Sequence, residues 1–119
     1  QAVDTAIGEV MASVANDPEL GGNTLFVLTA DHGVTEGQQS HGDYVPTNYT
    51  VPFFIWGPTV LSGDLYDLNP ELTDPGVSRP TYDGSQPVRN LQVADVALDA
   101  LGLPALLTDE TQERSLIWR

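Results

Sequence analysis

Residues 24–33 read Thr24-Leu25-Phe26-Val27-Leu28-Thr29-Ala30-Asp31-His32-Gly33. The stretch from Thr24 to Ala30 is apolar, unbroken and rich in β-forming residues. It does not alternate between apolar and polar positions, so it reads as a strand covered on both faces, as in a parallel sheet. Asp31 and His32 then stand at the carboxyl end of that strand, the edge of an open α/β sheet where ligand sites form. Gly33 permits the unusual backbone angles that a turn there can require.

Working upstream, Gly21-Gly22-Asn23 is a turn, and before it lies a helix. Val3, Ala6, Ile7, Val10, Met11 and Val14 recur with the 3.6-residue period of one helix face. Asp17-Pro18 ends it, because the residue before proline is pushed out of the helical region. Downstream, a polar loop runs from Asp31 to about Asn48. A second apolar run follows from Tyr49 to Trp56, closed by Gly57-Pro58. Pro52 cannot donate to a ladder, so this strand begins after it or lies at a sheet edge.

Residues 61–90 are rich in Gly, Pro, Asp, Ser and Asn and read as a long loop with room for a short element. Asn90 can cap a second helix through about Leu101, with Leu91, Ala94, Ala97, Leu98 and Leu101 on one face. Gly102 and Pro104 supply its stop. The tail, with Leu106, Leu107, Leu116, Ile117 and Trp118, has no assigned element. Two strands that are apolar on both faces need neighbouring strands and covering layers. The expectation is an α/β fold in which this chain is one part of a larger domain, or completes its sheet by oligomerising.

Composition narrows the partners. Seventeen Asp and Glu stand against four Arg and no Lys, a formal net charge of -13 over 119 residues. A nucleic-acid groove needs clustered cations, and attraction to an anionic membrane surface needs them too; neither fits this balance. No apolar run approaches the roughly 20 residues of a membrane span. The chain has no Cys, which excludes disulfides and thiolate sites. The acidic excess itself reads as a solubilising surface or as a cation-binding one.

Both histidines of the chain, His32 and His41, fall in the loop after the first strand. Asp31 offers a hard anionic oxygen and His32 an imidazole nitrogen, donors that suit Zn, Mn or Fe better than Ca. His41 sits beside Gly42 on a loop long enough to return to the same strand end. The same residue types also make a turn-forming carboxylate beside a surface imidazole. Asp43 is a competing oxygen donor or a loop acid. Asn48 can face a substrate or form a turn, and Arg79 and Arg89 can neutralise a phosphate or lie on the surface. Thr29, Thr35 and Ser40 read as strand and loop residues, and Tyr44, Tyr49, Phe53, Phe54 and Trp56 as packing.

Residues 24–60, TLFVLTADHGVTEGQQSHGDYVPTNYTVPFFIWGPTV, resemble the C-terminal metal-binding segment of the alkaline phosphatase superfamily, nearest its type I phosphodiesterase/nucleotide pyrophosphatase branch. The shared pattern is an apolar strand, a Thr step into Asp-His-Gly, a loop with His-Gly, and an apolar strand led by Val-Pro and ended by Gly-Pro. The first helix and the late Ala-Leu-Gly-Leu-Pro segment fit the same layout. The resemblance implies an alkaline phosphatase-like three-layer α/β/α domain with a mostly parallel sheet. It also implies a hydrolase of small phosphate esters holding two divalent metal ions, usually Zn with Mn as an alternative, roughly 4 Å apart. Asp31 and His32 would ligate the ion that activates the nucleophile, and His41 the other ion.

The family's Thr or Ser nucleophile and its remaining ligands belong to upstream motifs that residues 1–119 do not contain. One Asp and two His cannot close two metal sites. The expectation is therefore that residues 1–119 are the C-terminal portion of a single catalytic domain, inactive alone. Within the same superfamily the alternatives are a sulfatase, a phosphonate hydrolase and a phosphoglycerate mutase; the absence of Lys weighs against the sulfatase. Outside it, the alternative is a non-catalytic acidic binding module. Extracytoplasmic placement is common in the superfamily, and the sequence leaves localisation open.

Overall fold

The structure is a computed structural model that describes residues 2–37, 45–76, 81, 83–105 and 115–119. Among these residues the elements run α1 (Ala2–Asn16), β1 (Phe26–Thr29), α2 (Pro46–Tyr49), β2 (Phe53–Trp56), α3 (Leu65–Leu68) and α4 (Gln92–Ala100).

The helix read from the apolar period at the start is α1. It stops where expected, and the Asp17 carboxylate makes the stop, its Oδ1 accepting from the backbone N–H groups of Glu19 and Leu20 at 2.8 and 3.0 Å. No residue of α1 is buried, and Val3 and Val10 of its apolar stripe are largely exposed.

β1 and β2 form a two-stranded antiparallel pair with Val27 opposite Ile55 and Thr29 opposite Phe53. The sequence reading took both as parallel-type strands. Their mutual pairing is antiparallel, a relation that an apolar run does not encode because both ladder types bury the same side chains. β2 begins after Pro52, so the proline lies outside the ladder as its missing N–H requires. Tyr49, expected at the start of the second run, instead ends the short helix α2.

Side chains alternate across the pair. Leu25, Val27, Phe53 and Ile55 pack on a core of Leu72, Val96, Leu116 and Trp118, joined by Val60, Tyr66 and Val88. The other face carries Phe26 stacked on its cross-strand partner Trp56, with ring centroids 5.2 Å apart, and Phe54 at 57 % exposure. Among the described residues, one face of the pair is therefore packed and the other is partly open.

The long loop carries α3, capped by Asp64 through a 2.8 Å bond from the Tyr66 N–H. Asn69, directly after it, is fully buried. Its amide donates to Leu65 O and Ile117 O and accepts from Ile117 N–H at 2.6 Å. Leu61 N–H donates to Trp118 O as well. These bonds give the unassigned tail its place: it runs extended beside α3, with Leu116 and Trp118 inward and Ile117 outward. Leu106 and Leu107 of that tail lie outside the described residues.

α4 ends as the sequence predicts. Gly102, at φ 69°, occupies the left-handed position. Leu103 N–H bonds to Leu98 O and Gly102 N–H to Asp99 O, the paired closure of a Schellman stop. Its start differs from expectation: Asn90 does not cap it, and the preceding turn is closed by Gln92 Oε1 accepting from Arg89 N–H at 2.7 Å.

Candidate functional site

Where β1 ends, the chain turns through Asp31, His32 and Gly33. Asp31 Oδ1 accepts from the His32 N–H at 2.9 Å, which bends the backbone and turns Oδ2 towards the imidazole. His32 Nδ1 lies 2.8 Å from Gly33 O. A carbonyl oxygen only accepts, so Nδ1 carries a proton and the ring orientation is set by its own backbone. His32 Nε2 then stands 3.4 Å from Asp31 Oδ2.

In the neutral ring that nitrogen is an acceptor beside an anionic oxygen. Two ligands of a tetrahedral zinc, each at roughly 2.0–2.1 Å, stand roughly 3.3 Å apart. The donor set and its spacing therefore fit a divalent ion, and a ligating imidazole whose other nitrogen donates to a backbone carbonyl is the usual arrangement. Among the described residues no third His, Asp or Glu joins these two. His41 and Asp43, with Ser40, Tyr44 and Arg79, lie outside the described residues.

Three supports hold this turn. Gly33 is the first, and its role differs from the one read in the sequence: its φ is not left-handed. A Cβ at Gly33 would stand 2.0 Å from Thr47 O and 3.0 Å from Thr50 O. The glycine is needed because the backbone of α2 comes directly against it, and Gly33 N–H donates to Asn48 O at 3.0 Å. α2 itself is the second support. Thr35 Oγ1 lies 2.8 Å from Thr47 Oγ1 and 3.3 Å from Asn48 Oδ1, and Asn48 is buried. Asn48 thus acts by docking the loop.

The third support is Asn90, which sequence reasoning assigned to a helix cap. Its Nδ2 donates to Ala30 O at 2.9 Å and Asp31 O at 3.1 Å, and its Oδ1 accepts from Thr29 Oγ1 at 3.3 Å. No local signal marks this role, because the partners stand about sixty positions away in the chain.

Asp31 and His32 open onto a cleft of about 500 Å³ whose wall includes Tyr49, Tyr66, Asp74, Arg89 and Asn90. Arg89 is the one Arg or Lys among the described residues lining it. Its Nη2 donates to Gln86 Oε1 at 2.6 Å, which fixes the direction of the guanidinium. Tyr66 contributes a half-buried phenol. Burial pushes its pKa above the ordinary tyrosine value, against the opposing effect of a hydrogen bond from the Val88 N–H. Tyr66 and Asp74 carry no sequence signal, since they come from a loop without periodicity.

No family model matches the chain, and no solved structure matches it. Among curated proteins the chain is 38 % identical over 81 residues to GPI ethanolamine phosphate transferase 1 of Neurospora crassa, 68 % of this chain and 7 % of that protein. It is 40 % identical over 60 residues to the protein of the same name from Aspergillus oryzae, 50 % of this chain and 6 % of that one. The protein of that name from Chaetomium globosum is 33 % identical over 81 residues, 68 % of this chain and 8 % of its own length. The matched stretch thus spans less than a tenth of these relatives. Their shared name is that of enzymes that transfer a phosphate ester group, so the similarity agrees with the phosphate-ester-handling superfamily that residues 24–60 resemble.

Proposed function

We propose that the protein to which this segment belongs is a metal-dependent enzyme of phosphate diesters that transfers an ethanolamine phosphate group. In this reading residues 1–119 form the C-terminal part of a three-layer α/β/α catalytic domain. The observation that carries it is the convergence of Asp31 Oδ2 and His32 Nε2, 3.4 Å apart, at a strand end lining a cleft. The relatives' printed name supplies the transferred group and favours transfer. Hydrolysis is the same displacement at phosphorus with water as the acceptor.

Asp31 and His32 would hold one divalent ion, and His41 would join a second; Zn suits these donors best and Mn next. Bound ions would supply charge to the phosphoryl oxygens and raise the nucleophilicity of an attacking hydroxyl at neutral pH. The residues of this chain do the rest. The backbone of Gly33 fixes the His32 tautomer, so that Nε2 presents its lone pair. Asp31 contributes negative charge that favours a cation over a bare phosphate. Arg89, which lines the cleft, would offer its charge to a phosphate oxygen bound there.

The test uses the full-length protein, stripped of metal by chelator and reloaded with Zn or Mn. Metal content and turnover of an ethanolamine phosphodiester donor are measured, with an alcohol acceptor and with water alone. Turnover returns with metal. Asp31→Ala and His32→Ala each lower metal occupancy and reduce turnover by more than roughly 100-fold, the upper end of what removing a mere supporting partner costs. Variants that keep wild-type metal content and turnover overturn the reading.

A further inference from the structure

We infer that Asn90 is a positioning residue for the metal-ligating turn, acting as a clamp between the end of β1 and the start of α4. This rests on the reading of Asp31 and His32 as ligands and adds a residue that neither the sequence pattern nor the relatives' names assign.

Asn90 is exposed, in the turn before α4. An exposed asparagine at such a position ordinarily caps its own helix. This one instead spends both halves of its amide on the other side of the cleft. Nδ2 donates to Ala30 O and Asp31 O, the two carbonyls that follow the last residue of β1. Oδ1 accepts from Thr29, that last strand residue. Three successive residues leading into the Asp31–His32 pair are thus held by one side chain.

The direction of the Asp31 carboxylate depends on this hold. The Asp31 carbonyl belongs to the same peptide unit as the His32 N–H that Oδ1 accepts. Fixing the carbonyl fixes the plane of that peptide, and hence where Oδ2 meets Nε2. Beyond this clamp, the described residues tie the turn to α2 through Gly33, on the far side of His32, while the ladder holds Thr29 opposite Phe53. The neighbouring Arg89 lines the same cleft, so the turn 89–90 sets the ligand pair and the phosphate-facing cation against each other.

The experiment measures zinc affinity by calorimetry on the full-length, metal-stripped protein, together with the melting temperature of its metal-free form. Asn90→Ala removes the clamp. Asn90→Leu keeps the branched outline without donors or acceptor, and stands in should the alanine variant fold poorly. Both are expected to weaken zinc binding by roughly 10-fold or more, the range for partners that orient metal ligands, with little change in metal-free melting. Melting lowered with zinc affinity within 2-fold of wild type, on the order of what assay scatter gives, marks a merely structural residue and overturns the inference alone. A wild-type protein that takes up no zinc or manganese overturns the parent reading and this one with it.

Discussion

Replacing Gly33 by alanine tests the packing logic of the site most directly. A Cβ there would lie 2.0 Å from Thr47 O. A carbon–oxygen contact takes roughly 3.3 Å, so α2 and the Asp31–Gly33 turn must separate by about 1.3 Å at that point. The obstacle is backbone, 3.0 Å from both Thr47 C and Thr50 O as well, so no side-chain rotation relieves it. The separation breaks the 3.0 Å bond from Gly33 N–H to Asn48 O. Overpacking of this kind costs about 1–3 kcal/mol, and a lost backbone hydrogen bond about 0.5–1.5 kcal/mol. The sum, about 1.5–4.5 kcal/mol, is read as a lowered urea midpoint at unchanged m-value.

Gly102→Ala is the internal control. Gly102 has φ 69° and open space around its Cβ, so its substitution is limited to the torsional cost of about 1–2 kcal/mol. The expected order is therefore Gly33→Ala worse than Gly102→Ala, accompanied by lost hydrogen-exchange protection of the position-33 amide. A Gly33→Ala protein within about 0.5 kcal/mol of wild type, or one less affected than Gly102→Ala, refutes the claim that close approach of α2 dictates this glycine.

Asn69→Ala leaves the Ile117 N–H and C=O without their amide partner in a half-buried place, and is expected to destabilise by about 1–3 kcal/mol, checked by chemical unfolding and by faster exchange of the Ile117 amide. Tyr66 supplies a pH prediction. Its raised pKa means that the folded state keeps this proton to higher pH than the unfolded state. Its contribution is fully present below the ordinary tyrosine value of about 10 and is lost as pH rises through the folded value. Stability measured across that alkaline range falls less steeply in Tyr66→Phe; an identical slope contradicts the assignment.

The local features of this chain were legible wherever one stretch of residues carries its own instruction. The apolar period of α1, the proline that delays β2, and Gly102 at the end of α4 each act over one or two turns of chain, and the structure places them as read. Asp31 and His32 were legible as neighbours at a strand end, and their side-chain atoms meet there. The supports of that pair were not legible. Gly33 looked like a torsional glycine because sequence does not reveal what lies against it. Asn90 looked like a cap because its composition and place fit one, while its real partners are on another element.

By itself, then, the sequence determined the helical run and stop of α1, the delay of β2 past Pro52, the end of α4 at Gly102, the acidic and cysteine-free composition, and the placing of Asp31-His32-Gly33 after an apolar strand. Only the tertiary structure decided the antiparallel pairing of β1 with β2, the seating of the tail on Asn69, and the hold of Asn90 on the strand end. The physical reason is range. Periodicity, proline and glycine act through bonds and sterics between near neighbours, whereas these contacts join groups 24 to 61 positions apart. Their hydrogen bonds exist only once burial of Leu72, Val96, Leu116 and Trp118 has brought those segments together.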